Sequence, residues 1–206
     1  GAGEMNAAGI SNELRRLGSS LGSSAGSDGS QVGLTTLKRR LEPSLDLMAT
    51  VALEPTFPEE DWELMRSKRV QDLEAARKDP GKMSSRVWSH LMYGEHYLGL
   101  LSSEASYEAM ETAQLRDWYD GYFVPDNAIF LVGGDTSLDE ILPQLESRFG
   151  HWKPDVAAEV MPADASRFSV HEGSTIFLVD SPGAAQSVVR VGTFVGSRTE
   201  PDYAAF

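Results

Sequence analysis

The chain has 206 residues, 41% of them hydrophobic, no cysteine and a formal net charge of −13. That length and composition suit one large domain, or one domain with a fragment of another, and supply enough apolar residues for a core. The charge argues against a nucleic-acid surface or an anionic membrane as partner, and the missing thiols exclude disulfides, thiol catalysis and thiolate metal sites.

In chain order, residues 6–17 read as a helix, with Ala7, Ile10, Leu14 and Leu17 recurring at three- and four-residue steps. Gly18 stands where a left-handed residue closes such a helix. Residues 19–25 and 31–38 flank Gly26-Ser27-Asp28-Gly29 and predict a β-hairpin, because Val32, Leu34 and Thr36 alternate with their neighbours. Helices are expected over 43–54, 58–78, 80–93 and 112–122. Pro43, Pro58 and Pro80 sit in first turns, where a missing N–H costs nothing. Residues 127–133 (NAIFLVG) predict a short, largely buried strand, and 137–149 another helix. Prolines and alanines then mark an irregular crossing over about 151–169. Two further strands follow, at 174–180 and 186–194, around Ser181-Pro182-Gly183. No repeat of 20–50 residues is apparent, and no apolar run approaches the roughly 18 residues of a membrane span. The fold class is therefore α+β, an antiparallel sheet packed against several helices.

Chemistry-bearing patterns are sparse. His90 and His96 are six residues apart and would point in different directions on a helix, and neither H-x-x-E-H nor H-E-x-x-H occurs. Those two, His151 and His171 read best as surface or capping residues. The Gly/Ser run over 18–30 lacks G-K-[ST] and leads into a strand, so a small-residue edge fits it better than a phosphate cradle. No G-x-S-x-G elbow is present. On the helix at 58–78, Trp62, Met65, Leu73 and Ala76 share a face with Arg69, and Asp72 lies at its margin. An Arg69–Asp72 pair beside a core stripe is the plain reading.

Five stretches stand in order: ISNELRRLGSSLGSS (10–24), LDLMATVALEPTFPEED (45–61), DPGKMSSRVWSHLMYGEHYLG (79–99), WYDGYFVPDNAIFLVGGD (118–135) and LESRFGHW (145–152). Together they resemble the pitrilysin/insulinase-type zinc metallopeptidase family. The resemblance implies a peptidase-like domain over 1–152 without its first strands and metal-motif helix, whose H-x-x-E-H would precede Gly1. It implies a linker over 153–173, and over 174–206 the opening strands of a following homologous domain.

By the same resemblance, the third zinc ligand is a Glu eight residues before the Pro of a D-x-P motif, with another Glu seven residues earlier. Counting back from Pro80 gives Asp72 and Met65. Asp is a shorter ligand and Met cannot replace a carboxylate. The resemblance therefore implies a non-catalytic domain of a bacterial member, with no cofactor in this chain and zinc in a catalytic partner half, on the same chain or a separate subunit. Together the halves would enclose peptide substrates, with Gly22, Ser23 and Ser24 matching the edge strand that binds peptide in active halves. Two alternatives stay open: a truncated catalytic half with Asp72 as third ligand, or a non-proteolytic assembly subunit of the same fold. Strands 174–194 are expected to fill vacant sheet positions, within the molecule or by swapping into a homodimer. Bacterial relatives of this type are often exported, so a periplasmic or otherwise exported location is the expectation, with a cytoplasmic one open.

Overall fold

The computed structural model describes residues 1–26, 29–153, 168 and 173–194. Helix α1 (Ala7–Leu17) starts where the Asn6 side chain accepts a hydrogen bond from the Gly9 N–H, and ends at Gly18 in the left-handed region, φ 65°. Strands β1 (Ser20–Ala25) and β2 (Ser30–Thr35) form the expected antiparallel hairpin, with Leu21 opposite Leu34, Gly22 opposite Gly33 and Ser23 opposite Val32. A 3₁₀ turn (Lys38–Arg40) leads into α2 (Leu41–Leu53), followed by α3 (Glu59–Arg77), α4 (Pro80–Tyr93) and a short α5 (Glu104–Glu108). Helices α6 (Thr112–Tyr122) and α7 (Leu138–Phe149) complete the helical set. The six predicted helices thus lie within about two residues of expectation, the uncertainty usual for helix ends.

The chain divides into two compact units. The first takes in Gly1–Arg69 and the described residues from Ala105 to Lys153; the second holds Val70–Glu104 and the described residues from Phe168 onward. The division falls within α3.

The core of the first unit lies around α2, which packs against α1, β2 and α7. Leu17, Leu45, Leu47, Ala52, Trp62, Val124, Ile141 and Phe149 are buried in it. Polar ties hold the periphery. Trp62 Nε1 donates to the Met110 carbonyl at 3.0 Å, and Tyr119 Oη donates to the Ala52 carbonyl at 2.6 Å. Arg148 Nε meets Asp46 at 2.6 Å, joining α7 to α2. Phe57 takes the left-handed conformation, φ 44°, and is held there by the Tyr119 ring and the Arg116 guanidinium, 5.3 Å from its ring centroid. Ser44 is fully buried, and its hydroxyl closes a triangle with those of Ser19 and Thr36, with edges of 2.8 to 3.0 Å. That triangle secures the base of the hairpin to α2.

The second unit is organised on α4. Asp79 caps it by accepting from the Gly81 and Lys82 N–H groups, with Pro80 in the first turn. In its last turn His90 Nδ1 bonds the Gly99 carbonyl, and beyond its C-terminus His96 Nδ1 accepts from the Leu98 N–H. Residues from the stretch 186–194 meet the same helix. Arg190 bonds the hydroxyls of Ser84 and Ser85, Phe194 meets Tyr93, and any Cβ at Gly192 would come within 2.8 Å of the Trp88 ring.

Three strand expectations are corrected. Residues 127–133, 174–180 and 186–194 are not strands, and among the described residues the sheet consists of β1 and β2 alone. Segment 128–132 rests one side on α7, with Phe130 and Phe149 ring centroids 4.8 Å apart, while Ile129 and Leu131 remain 85% and 92% exposed. An apolar β-prone run becomes a strand only where a second backbone lies alongside to share its ladder.

Candidate functional site

Two sets of residues carry the functional expectation. The first is the small-residue edge at Gly22, Ser23 and Ser24. All three are exposed, and β2 occupies one side of β1. Leu21, Val32 and Leu34 form the half-buried face of the hairpin, turned toward α2, which leaves the Ser23–Ser24 end reaching out from the core. A Cβ at Gly22 or Gly33 would meet nothing within 4 Å, so neither glycine is required for packing. Small side chains on an exposed edge let another extended backbone approach closely.

The second set lies on α3. Trp62 and Ala76 are buried as the helical spacing predicts, but Met65 is 53% exposed, and Arg69 and Asp72 are both exposed. The expected Arg69–Asp72 ion pair is not formed; Arg66 pairs with Glu63 instead, one turn earlier. Long side chains on a solvated face choose among several partners at i±3 and i±4, each worth only tenths of a kcal/mol.

Met65 does not fit as a zinc ligand, whereas the Asp72 carboxylate offers an oxygen donor. Zinc takes imidazole nitrogen, thiolate sulfur or carboxylate oxygen, and a thioether supplies none of these. Among the described residues no group of three His, Asp or Glu side chains gathers closely enough to hold a metal. His96 is 4% exposed and engaged at the turn after α4, and His90 holds the same turn; His171 lies outside the described residues. The capping role expected for histidines thus holds at His96. No spacing rule announced the Ser19–Thr36–Ser44 triangle or the Arg190 clasp, since both join residues distant in sequence.

Comparison with known proteins decides the family. The family described as "Peptidase M16 inactive domain" matches residues 109–206. Residues 109–206 belong to the M16 peptidases. The match covers α6, α7 and the described extended segments 174–194. The structure of a peptidase M16 inactive domain from Pseudomonas fluorescens is similar at a TM-score of 0.71, with 23% identity, covering 78% of this chain and 40% of that one. The periplasmic protease PqqL from Escherichia coli superposes at 0.64, with 18% identity, over 79% of this chain and 19% of that one. An uncharacterised zinc protease of Streptomyces coelicolor is 21% identical over 141 residues, which is 66% of this chain and 30% of that protein. The chain thus spans about a third of the length of this curated relative. At these identities the structural likenesses establish the M16 fold, an α+β architecture.

Proposed function

We propose that this chain forms part of the non-catalytic half of an M16 zinc protease, contributing walls to a chamber that a zinc-bearing catalytic half completes. The match of residues 109–206 to the M16 inactive-domain family carries this reading. Met65 supports it, because an exposed thioether stands where the resemblance calls for a carboxylate. Zinc then belongs to the partner half, and the substrate is peptide. Gly22–Ser24 offers an edge for an extended peptide to join; Gly22→Val is expected to raise KM for peptide cleavage by the assembled enzyme and leave kcat unchanged. The periplasmic address of PqqL supports an exported location, checked by fractionating cells of the source organism.

The deciding experiment is elemental analysis of the full-length parent protein after zinc loading and dialysis, alongside cleavage of a fluorogenic peptide. The expected result is no stoichiometric zinc and no cleavage without a separate catalytic subunit, or, where both halves share one chain, one zinc that survives Asp72→Asn. A second reading, a catalytic half using Asp72 as third ligand, is favoured by the naming of the S. coelicolor relative as a zinc protease. Loss of that zinc in Asp72→Asn would establish it and overturn the first.

A further inference from the structure

From Arg190 to Phe194 the chain touches α4 at every second residue. Arg190 Nε donates to the Ser84 hydroxyl at 2.9 Å, and its Nη2 donates to that of Ser85. Gly192 lies against the Trp88 indole, and the Phe194 ring centroid is 5.8 Å from that of Tyr93 and 5.2 Å from that of Phe168. Val189 and Val191, which alternate with these contacts, are 83% and 94% exposed. A period of two is that of extended chain laid along the helix. The lengths agree, since four extended residues and the helical stretch from Ser84 to Tyr93 each span about 13 Å. The contacts also select residue types. Both serine hydroxyls give their protons to the Gly81 carbonyl, so they present lone pairs outward, two acceptors for the fork of a guanidinium. Gly192 is not in the left-handed region; what requires a glycine is the indole, which a Cβ would approach within 2.8 Å.

We infer that the Ser84, Ser85, Trp88 and Tyr93 face of α4 is a recognition site for a separate extended peptide. That peptide presents arginine, glycine two residues on and an aromatic ring four residues on, and the chain's own residues 190–194 occupy the site in its place. Two observations favour a displaceable occupant over a fixed part of the fold. First, among the described residues no backbone hydrogen bond joins 186–194 to α4. The segment is read through side chains at alternate positions, the way pockets read a bound peptide. Second, the segment is held lightly: Arg190 is exposed, and even Phe194, half covered by Tyr93 and Phe168, is 44% exposed. The two hydroxyl acceptors, by contrast, are oriented from within α4 through Gly81, so they persist when the occupant leaves. The inference uses contacts within the second unit alone and stands independently of the peptidase reading.

Fluorescence anisotropy of a labelled peptide of residues 186–194, QSVVRVGTF, titrated with the full chain tests it. The resident segment competes at an effective concentration on the order of millimolar, so the unaltered chain should bind the peptide weakly. Gly192→Val and Arg190→Ala each loosen the resident segment, and each should bind the peptide at least about tenfold more tightly, with an unchanged circular dichroism spectrum. The two variants break different contacts, so a folding defect in one leaves the other as the test. Adding Ser84→Ala with Ser85→Ala to either should remove the gain, and so should a peptide whose glycine is replaced by valine. Equal affinity in the unaltered chain and the loosened variants overturns the inference. So does an absence of binding to the loosened variants at about 0.5 mM, or a gain that survives the loss of both serines.

Discussion

The hairpin and the two IFLV segments (129–132 and 176–179) differ in one respect that outweighs their composition. Strand β1 reads SLGSSA, poor in the β-branched and aromatic residues that favour strands, yet it is a strand; IFLV is rich in them and is not. The hairpin contains its own second strand, reached through a four-residue connection. Its base is fixed to α2 by buried hydroxyls. Segment 128–132 has α7 on one side, and the Ile and Leu side chains of both IFLV segments are exposed. A strand is thus a relation between two backbones, and propensity alone does not create it.

That contrast can be broken or sharpened by mutation. The largest effect is expected beneath the hairpin: Leu45→Ala, at a position only 4% exposed, should cost about 2–5 kcal/mol in urea denaturation. Ser44→Ala should cost about 0.5–1.5 kcal/mol, because the half-buried Ser19 and Thr36 hydroxyls each lose one partner. Replacing the facing pair, Gly22→Val with Gly33→Val, should stabilise the hairpin by about 0.5–1 kcal/mol, since open space surrounds both positions and valine suits an extended backbone. Leu131→Lys, by contrast, should shift folding by less than about 0.5 kcal/mol, which separates an exposed apolar face from a packed one.

The smallest effect is visible only in alkali. Burial, followed by the Asp120 carboxylate, pushes the Tyr119 phenol up to about 12, against the opposing pull of Arg116. Below about pH 10 the phenol is neutral in both folded and unfolded chains, so its Ala52 hydrogen bond contributes fully. From about pH 10 to 12 the unfolded chain ionises first, and stability falls as pH rises. Tyr119→Phe should flatten that decline in denaturation midpoints measured from pH 9 upward.

The helices and the hairpin were legible in the sequence because their signals are local: Asn6, Gly18, Asp79 and Pro80 act on residues a few positions away. The strands at 127–133 and 174–194 were misjudged because apolar alternation reports what a segment needs and not whether this chain supplies it. The altered site positions could be read only by resemblance. Nothing in spacing alone singles out Met65 or Asp72, and both stand on the solvated side of α3. Residues such as Ser19, Thr36 and Ser44 are individually ordinary; their meaning arises once three distant stretches converge.

That convergence has a property of its own. Three hydroxyls in a ring offer three hydrogens and need three acceptors, so the protons can circulate clockwise or anticlockwise with every oxygen satisfied in both senses. The knot at the root of the hairpin is therefore defined in its heavy atoms but degenerate in its protons, retaining a small disorder of its own. A carboxamide or a charged group there would impose one direction and forfeit it, which gives small hydroxyls an advantage at this position beyond their size.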